Sequence, residues 1–160
     1  MNSALTFTGS PYTSFMHETK VTLSNGIELH VEIGGQPEHP VIMLIMGLGA
    51  QLLFWPDFFC KSLIDQGYRV IRFDNRDIGL SSKIRHSGPR LNTFKLMGRF
   101  ALGLENQGAP YNLYDMAEDA ALLIDHLELD NVSVLGASMG GMIAQILAAK
   151  HPQKVNNLGL

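Results

Sequence analysis

The sequence is short of the features that most often settle a function at once. Its 160 residues include a single cysteine, Cys60, so no internal disulfide can form and no cysteine-based metal cluster is available. A reducing, cytoplasmic setting is the expectation. Positive charge is not in surplus: the formal net charge is −3, without the basic balance that nucleic-acid binding requires, so no nucleic-acid partner is expected. Long hydrophobic runs are missing as well. The first seventeen residues have neither a basic start nor an apolar stretch of signal-peptide length, and the apolar run at 41–48 is far too short for a bilayer. No membrane association is expected. Internal repeats and low-complexity tracts are absent.

What the chain does have is an apolar content of 46%, enough at this length for one sizeable core and too little chain for two comfortable domains. Two β-like runs, 20–23 and 27–33, flank Ser24-Asn25-Gly26, and an Asn-Gly pair in that setting signals a hairpin. The continuous run Val41-Ile42-Met43-Leu44-Ile45-Met46 reads as a strand covered on both faces. Helix and strand then alternate: a helix over 55–66, a strand over 69–73, a helix over 114–127, a strand over 132–135, a helix over 139–150 and a sixth strand over 155–160. The pattern predicts an α/β fold, a mostly parallel sheet with helices on both faces and an antiparallel hairpin at its start. One stretch, 83–111, interrupts the alternation as a flap-like insertion. Its 83–99 part carries five basic residues, Lys83, Arg85, Arg90, Lys95 and Arg99, and no acidic one. A short amphipathic helix is expected there, either a solvated flap or a wall of a pocket favouring an anionic group.

The chemistry centres on Gly136-Ala137-Ser138-Met139-Gly140. Three fixed residues of this kind recur by chance in about 5% of chains this long, so the context decides. Here the motif directly follows a strand-like run and directly precedes a helical one, the setting of a nucleophile elbow. A serine at the tip of so tight a turn takes a strained backbone, and Gly136 and Gly140 remove side chains that would clash two residues to either side. Gly141 and Ala144 keep the following helix slim. That helix also aims free N–H groups and the positive end of its dipole at Ser138. The competing reading makes Ser138 a helix N-cap, which explains the serine and leaves the glycines unexplained. Acyl transfer needs backbone donors for a developing oxyanion, and in this arrangement they come from the residue after the nucleophile and the loop after the third strand. Met139 is the first, and Leu48 in Met46-Gly47-Leu48-Gly49 is the second.

Taken together, the Gly47-Leu48-Gly49 loop, the run Phe73-Asp74-Asn75-Arg76-Asp77-Ile78-Gly79-Leu80-Ser81 and the glycine-flanked serine resemble the α/β-hydrolase family over nearly the whole chain. Within it, Met46-Gly47 and the Asp-Asn-Arg-Asp loop are similar to the branch of carboxylic-ester hydrolases around aclacinomycin methylesterase. The resemblance implies a serine hydrolase of esters or related acyl compounds, working without cofactor or metal on a small-molecule substrate. It also admits thioester, amide, lactone and cofactor-free peroxidase chemistry. It implies a structural role for Asp74, Arg76 and Asp77, with Arg76 neutralising neighbouring carboxylates and Gly79 supplying a bend.

The nucleophile lacks visible partners. In this family the acid and then the histidine follow the serine in the chain, yet no Asp or Glu follows Ser138 and the one later histidine is His151. About thirteen helical residues separate the two, roughly 20 Å. His17, His30, His39 and His126 read as surface or packing residues, and His86 is the least excluded base. The expectation is therefore the N-terminal portion of a larger hydrolase core, inactive by itself, with a bare sixth strand able to self-associate or pair with a missing C-terminal portion. The alternative is a non-catalytic ligand-binding or partner-dependent fragment of the same fold.

Overall fold

The computed structural model describes residues 15–84 and 110–160. The expected flap, with its amphipathic helix and His86, falls almost wholly on residues 85–109 and lies outside the described residues. Strands β1 (Met16–Thr22) and β2 (Glu28–Gly34) form the hairpin, joined through Gly26 at φ +84°. β1 begins four residues earlier than the sequence pattern indicates. Lying at the sheet edge, it buries only Met16 and Val21, so its polar His17, Glu18 and Lys20 hide the strand from any apolar count while its backbone pairs with β2 from Met16 to Thr22.

β3 (Val41–Ile45), β4 (Arg69–Phe73), β5 (Val132–Gly136) and β6 (Val155–Gly159) are parallel, and the six strands lie in the order β1-β2-β4-β3-β5-β6. Helices α1 (Asp57–Asp65), α2 (Leu113–His126) and α3 (Met139–Lys150) make the crossovers. The helix expected from residue 55 is split: a 3-10 turn at Leu52–Phe54 comes first, and Pro56, extended at φ −63° and ψ 144°, holds α1 back to Asp57. α2 begins at a capping box in which the Asn112 side chain accepts from Tyr114 and Asp115 N–H while Asp115 reaches back to the Asn112 N–H.

The unbroken apolar run of β3 follows from burial on two faces. Met43 and Ile45 join Ile71 and Phe73 of β4 in a core closed by Ala117, Ala120, Leu123, Ile143 and Leu147 of α2 and α3. Leu44 and Val70, pointing the other way, meet Met16 and Cys60 with Trp55 and Phe59 packed alongside.

A charge sits inside that second layer. Arg72, in the middle of β4, is completely buried, donates from Nε and Nη2 to Glu32 at 2.8 and 2.6 Å, reaches Asp57 at 2.8 Å and also donates to the Trp55 carbonyl. The guanidinium thus ties β2, β4 and the start of α1. Buried ion pairs of this kind are costly to break singly and often neutral to replace as a unit. Arg72→Met should lower the unfolding free energy in urea by about 3–5 kcal/mol by stranding Glu32, and adding Glu32→Leu should recover most of that loss. Equal loss in the single and double variants would show that Arg72 contributes through packing of its stem instead.

Candidate active site

The carboxyl ends of the parallel strands gather the residues singled out in the sequence. β5 ends at Gly136, and Ala137 N–H donates to the Ile45 carbonyl at 3.0 Å, carrying the β3–β5 ladder one step past the strand. The helix starts at once, with Gly140 N–H on the Ala137 carbonyl and Gly141 N–H on the Ser138 carbonyl, both at 2.9 Å. Ser138 is squeezed between these two demands and sits at φ 56° and ψ −123°, a conformation that a residue with a side chain reaches only under constraint. The residue is exposed and stands at the N-cap position, but its hydroxyl makes no capping bond to the helix, so capping does not account for the serine.

The glycines earn their places by different contacts. A Cβ at Gly136 would lie 2.4 Å from the Gly140 carbonyl oxygen, as the motif suggests. A Cβ at Gly140 would instead strike the Ile45 carbonyl oxygen at 2.1 Å, so Gly140 is required by the third strand and not by Gly136. At Gly47 it would meet Ser138 Cβ at 3.1 Å and Oγ at 3.4 Å, which places the loop after β3 directly against the serine. Among the described residues, neither Leu48 N–H nor Met139 N–H donates to another backbone carbonyl.

That loop is held from β4. Asn75 Nδ2 donates to the Met46 carbonyl at 2.9 Å, and Asp74 Oδ1 accepts from Leu52 N–H at 2.8 Å. Asp74, itself buried, also accepts through Oδ2 from Leu80 N–H and from His30 Nδ1, each at 3.0 Å. Gly79 belongs to the same knot, because a Cβ there would fall 1.8 Å from Asp74 Oδ2. His30 is buried and spans Asp74 and Glu18, with Nε2 at 2.9 Å from Glu18. Burial disfavours the charge on both partners, but the hydrogen bonds and opposite charges outweigh it: His30 is raised above its usual value and Asp74 lowered below its own.

Two sequence readings change here. His30 is the hub of a buried charge cluster and not an ordinary packing histidine; the available signal was an imidazole inside the apolar Leu29-His30-Val31, with Glu18 two residues along β1 from His30's partner Lys20. Arg76 does not balance Asp74 or Asp77. It forms a two-pronged pair with Asp119 of α2, Nε and Nη2 each at 2.6 Å, and Asn25 of the hairpin adds a third donor to Asp119 at 2.8 Å. A partner 43 positions away in sequence left no local trace. Asp77 stands at φ 67° and accepts from Ile84 N–H at 2.6 Å, closing the loop on itself. His151 is engaged elsewhere, 3.0 Å from Glu118 of α2, and His126 ends α2 beside a small pocket with Ser24, Leu122 and Asp125. No helix among the described residues is long and apolar enough to cross a membrane. No cluster of His, Cys, Asp or Glu among them is arranged to hold a metal ion.

A parallel sheet with a strained serine between strand and helix, and a glycine loop lying against it, defines a hydrolase-like architecture. The family model described as alpha/beta hydrolase fold matches residues 40–160, and the chain belongs to that family. Rhodomycin D methylesterase DnrP of Streptomyces peucetius is 30% identical over 140 residues, which is 88% of this chain and 40% of that protein. The human serine hydrolase BPHL is 30% identical over 136 residues, 84% of this chain and 39% of that protein. Among solved structures, the enol-lactonase from Burkholderia xenovorans LB400 aligns with a TM-score of 0.65 at 27% identity, covering 86% of this chain and 44% of that one. The chain spans about two fifths of the length of the curated relatives it matches.

The His30–Asp74 pair has a definite pH signature. Because His30 is raised in the fold, its stabilisation is fully present below the unfolded value of 6.5 and is lost as pH climbs through the folded value; Asp74's is present above 3.8 and is lost as pH falls through its lowered one. The stability difference between the wild type and His30→Gln should be largest at about pH 5–6 and shrink steadily towards pH 9, measured by urea unfolding at each pH. A difference that stays constant over that range would mean that His30 is held neutral.

Proposed function

We propose that this chain supplies the nucleophile and the oxyanion donors of a hydrolase acting on carboxylic esters or related acyl compounds, with Ser138 as the nucleophile and Leu48 and Met139 N–H as the donors. The observation that carries the proposal is the Ser138 backbone at φ 56° and ψ −123°, exposed at the mouth of α3 with Gly47 packed against it. Strain of this kind survives only where the surroundings over-determine it, and here Gly136, Gly140 and the end of β3 do so. The two proposed donors belong to the first residue of α3 and to the loop that Gly47 opens, whose glycine packs against the serine. Relatives that include a methylesterase and a serine hydrolase favour acyl chemistry.

In the proposed reaction, Ser138 Oγ attacks the acyl carbonyl as its proton passes to a histidine. The tetrahedral oxyanion is held by the two N–H groups, and collapse expels the alcohol with the returned proton. Water then repeats the sequence to release the acid. His151, committed to Glu118, is not the base, and the proposed base comes from sequence beyond residue 160. The outer side of β6, whose only partner among the described residues is β5, is where such a segment would join the sheet.

With p-nitrophenyl acetate, the 160-residue chain should hydrolyse within about tenfold of its Ser138→Ala variant, because no histidine among the described residues is placed as a base for the nucleophile. In a protein that extends this sequence to the length of its relatives, the same substitution should lower kcat on the order of 10^4-fold or more. Turnover in the longer protein that survives Ser138→Ala would overturn the assignment.

A further inference from the structure

We propose that Asn75, with Asp74 beside it, is the positioning residue of the oxyanion loop: the pair clasps residues 46–52 at both ends and thereby aims Leu48 N–H at the space above Ser138. This deepens the reading of the site given above and rests on it.

The loop needs holding for reasons visible in its own sequence. The β3 ladder ends at Ile45, whose neighbours are Phe73 of β4 and Gly136 of β5, so Met46 is the first residue with no strand beside it. Gly47 and Gly49 follow, and Gly49 stands at φ +71° with open space around it. A peptide between two glycines can rotate at little steric cost, and a rotated peptide turns its N–H away. The one internal bond across the turn is long, Ala50 N–H to the Gly47 carbonyl at 3.3 Å. Leu48 is itself 45% exposed, so packing does little to hold it.

The clasp compensates from outside. Asn75 Nδ2 takes the Met46 carbonyl at 2.9 Å, fixing the plane of the peptide that leads into Gly47. Asp74 Oδ1 takes Leu52 N–H at 2.8 Å, fixing the exit. Both residues are almost wholly buried, 3% and 2% exposed, so water has little access to either side chain. Adjacent on one rigid strand end, they hold the two ends of the loop at a set separation. An oxyanion donor contributes only when it is aimed before charge develops, and a donor left to wander loses much of its effect.

The test uses the 160-residue chain and two readouts. The first is backbone ¹⁵N relaxation. In the wild type, Gly47, Leu48 and Gly49 should show order parameters near the rigid value of about 0.85; in Asn75→Asp, which keeps the size and removes the donor, they should fall below about 0.6 while β3 and α3 are unchanged. Asn75→Leu, also near in size, repeats the measurement should the carboxylate prevent folding. The second is binding of phenylboronic acid, followed by ¹¹B NMR. A bond forms between Ser138 Oγ and boron, the hydroxyl proton passes to solvent, and boron becomes a tetrahedral anion in the place of the oxyanion. Asn75→Asp should weaken this adduct at least tenfold, and Ser138→Ala should abolish it. A loop that is mobile in the wild type, or equally rigid in both Asn75 variants, overturns the clasp and leaves the serine assignment standing. A boronate adduct that persists in Ser138→Ala overturns the serine assignment, and relaxation alone then decides the clasp.

Discussion

A carboxylate removed from water must be given donors in its place, and Asp74 gathers them from three directions at once: His30 on β2, Leu52 beyond the glycine loop, and Leu80 in the loop after β4. None of these segments adjoins another in sequence. Because the group is buried and fully provided for, moving any one of them would leave a charge short of a donor, a loss larger than a surface bond could impose. The geometry above the sheet follows from this. Ser81 hydroxyl bonds back to the Asp74 carbonyl at 2.6 Å and receives His30 N–H at 2.9 Å, so even the return of the β4 loop is referred to the same residue. Gly79 has no side chain because Asp74 already occupies the space.

Strain at Ser138 and order at Asp74 are two halves of one arrangement. The elbow stores an unfavourable backbone conformation, and it can do so because Gly140 is pressed on the Ile45 carbonyl and Ala137 N–H is bound to the same oxygen. β3 is thus the common reference: its last carbonyl supports the elbow, and its next residue, Met46, is held by Asn75. A serine and a glycine loop that come from distant parts of the sequence meet because both hang from the end of one strand.

Much of this was legible beforehand, for reasons that differ element by element. The apolar run at β3, the helix–strand alternation and the Asn-Gly turn are local signals, and each lies where local chemistry places it. Ser138, Gly136 and Gly140 could be placed together because strand, turn and helix are contiguous around the serine, and the Gly47 loop was tied to them only as the loop that follows the third strand. The edge strand β1 was partly hidden, since pairing by backbone leaves no apolar signature on a polar edge. The charge clusters were hidden almost entirely. Arg72 meets Glu32, Arg76 meets Asp119 and His30 meets Asp74 across 40 or more positions, and opposite charges so far apart carry no period to read. Even the reason for Gly140 lay in a strand some ninety positions earlier.

The bond from Asn25 to Asp119 carries a consequence for the ageing of the molecule. Asn25 precedes Gly26, the pairing in which a backbone nitrogen most readily attacks the side-chain amide, closes a succinimide and expels ammonia; asparagine is among the thermolabile residues for this reason. In the folded turn the reaction is restrained, because Asn25 Nδ2 is bound to Asp119, its Oδ1 accepts from Ile27 N–H, and Gly26 N–H is already given to the Leu23 carbonyl. Opening of the hairpin removes all three restraints. Hydrolysis of the imide then leaves an acid at position 25, facing Asp119, which has lost the Asn25 donor and keeps those of Arg76. Each deamidated copy would refold against a repulsion in place of a bond, so the turn that starts the sheet is also a slow chemical record of how often that sheet has come undone.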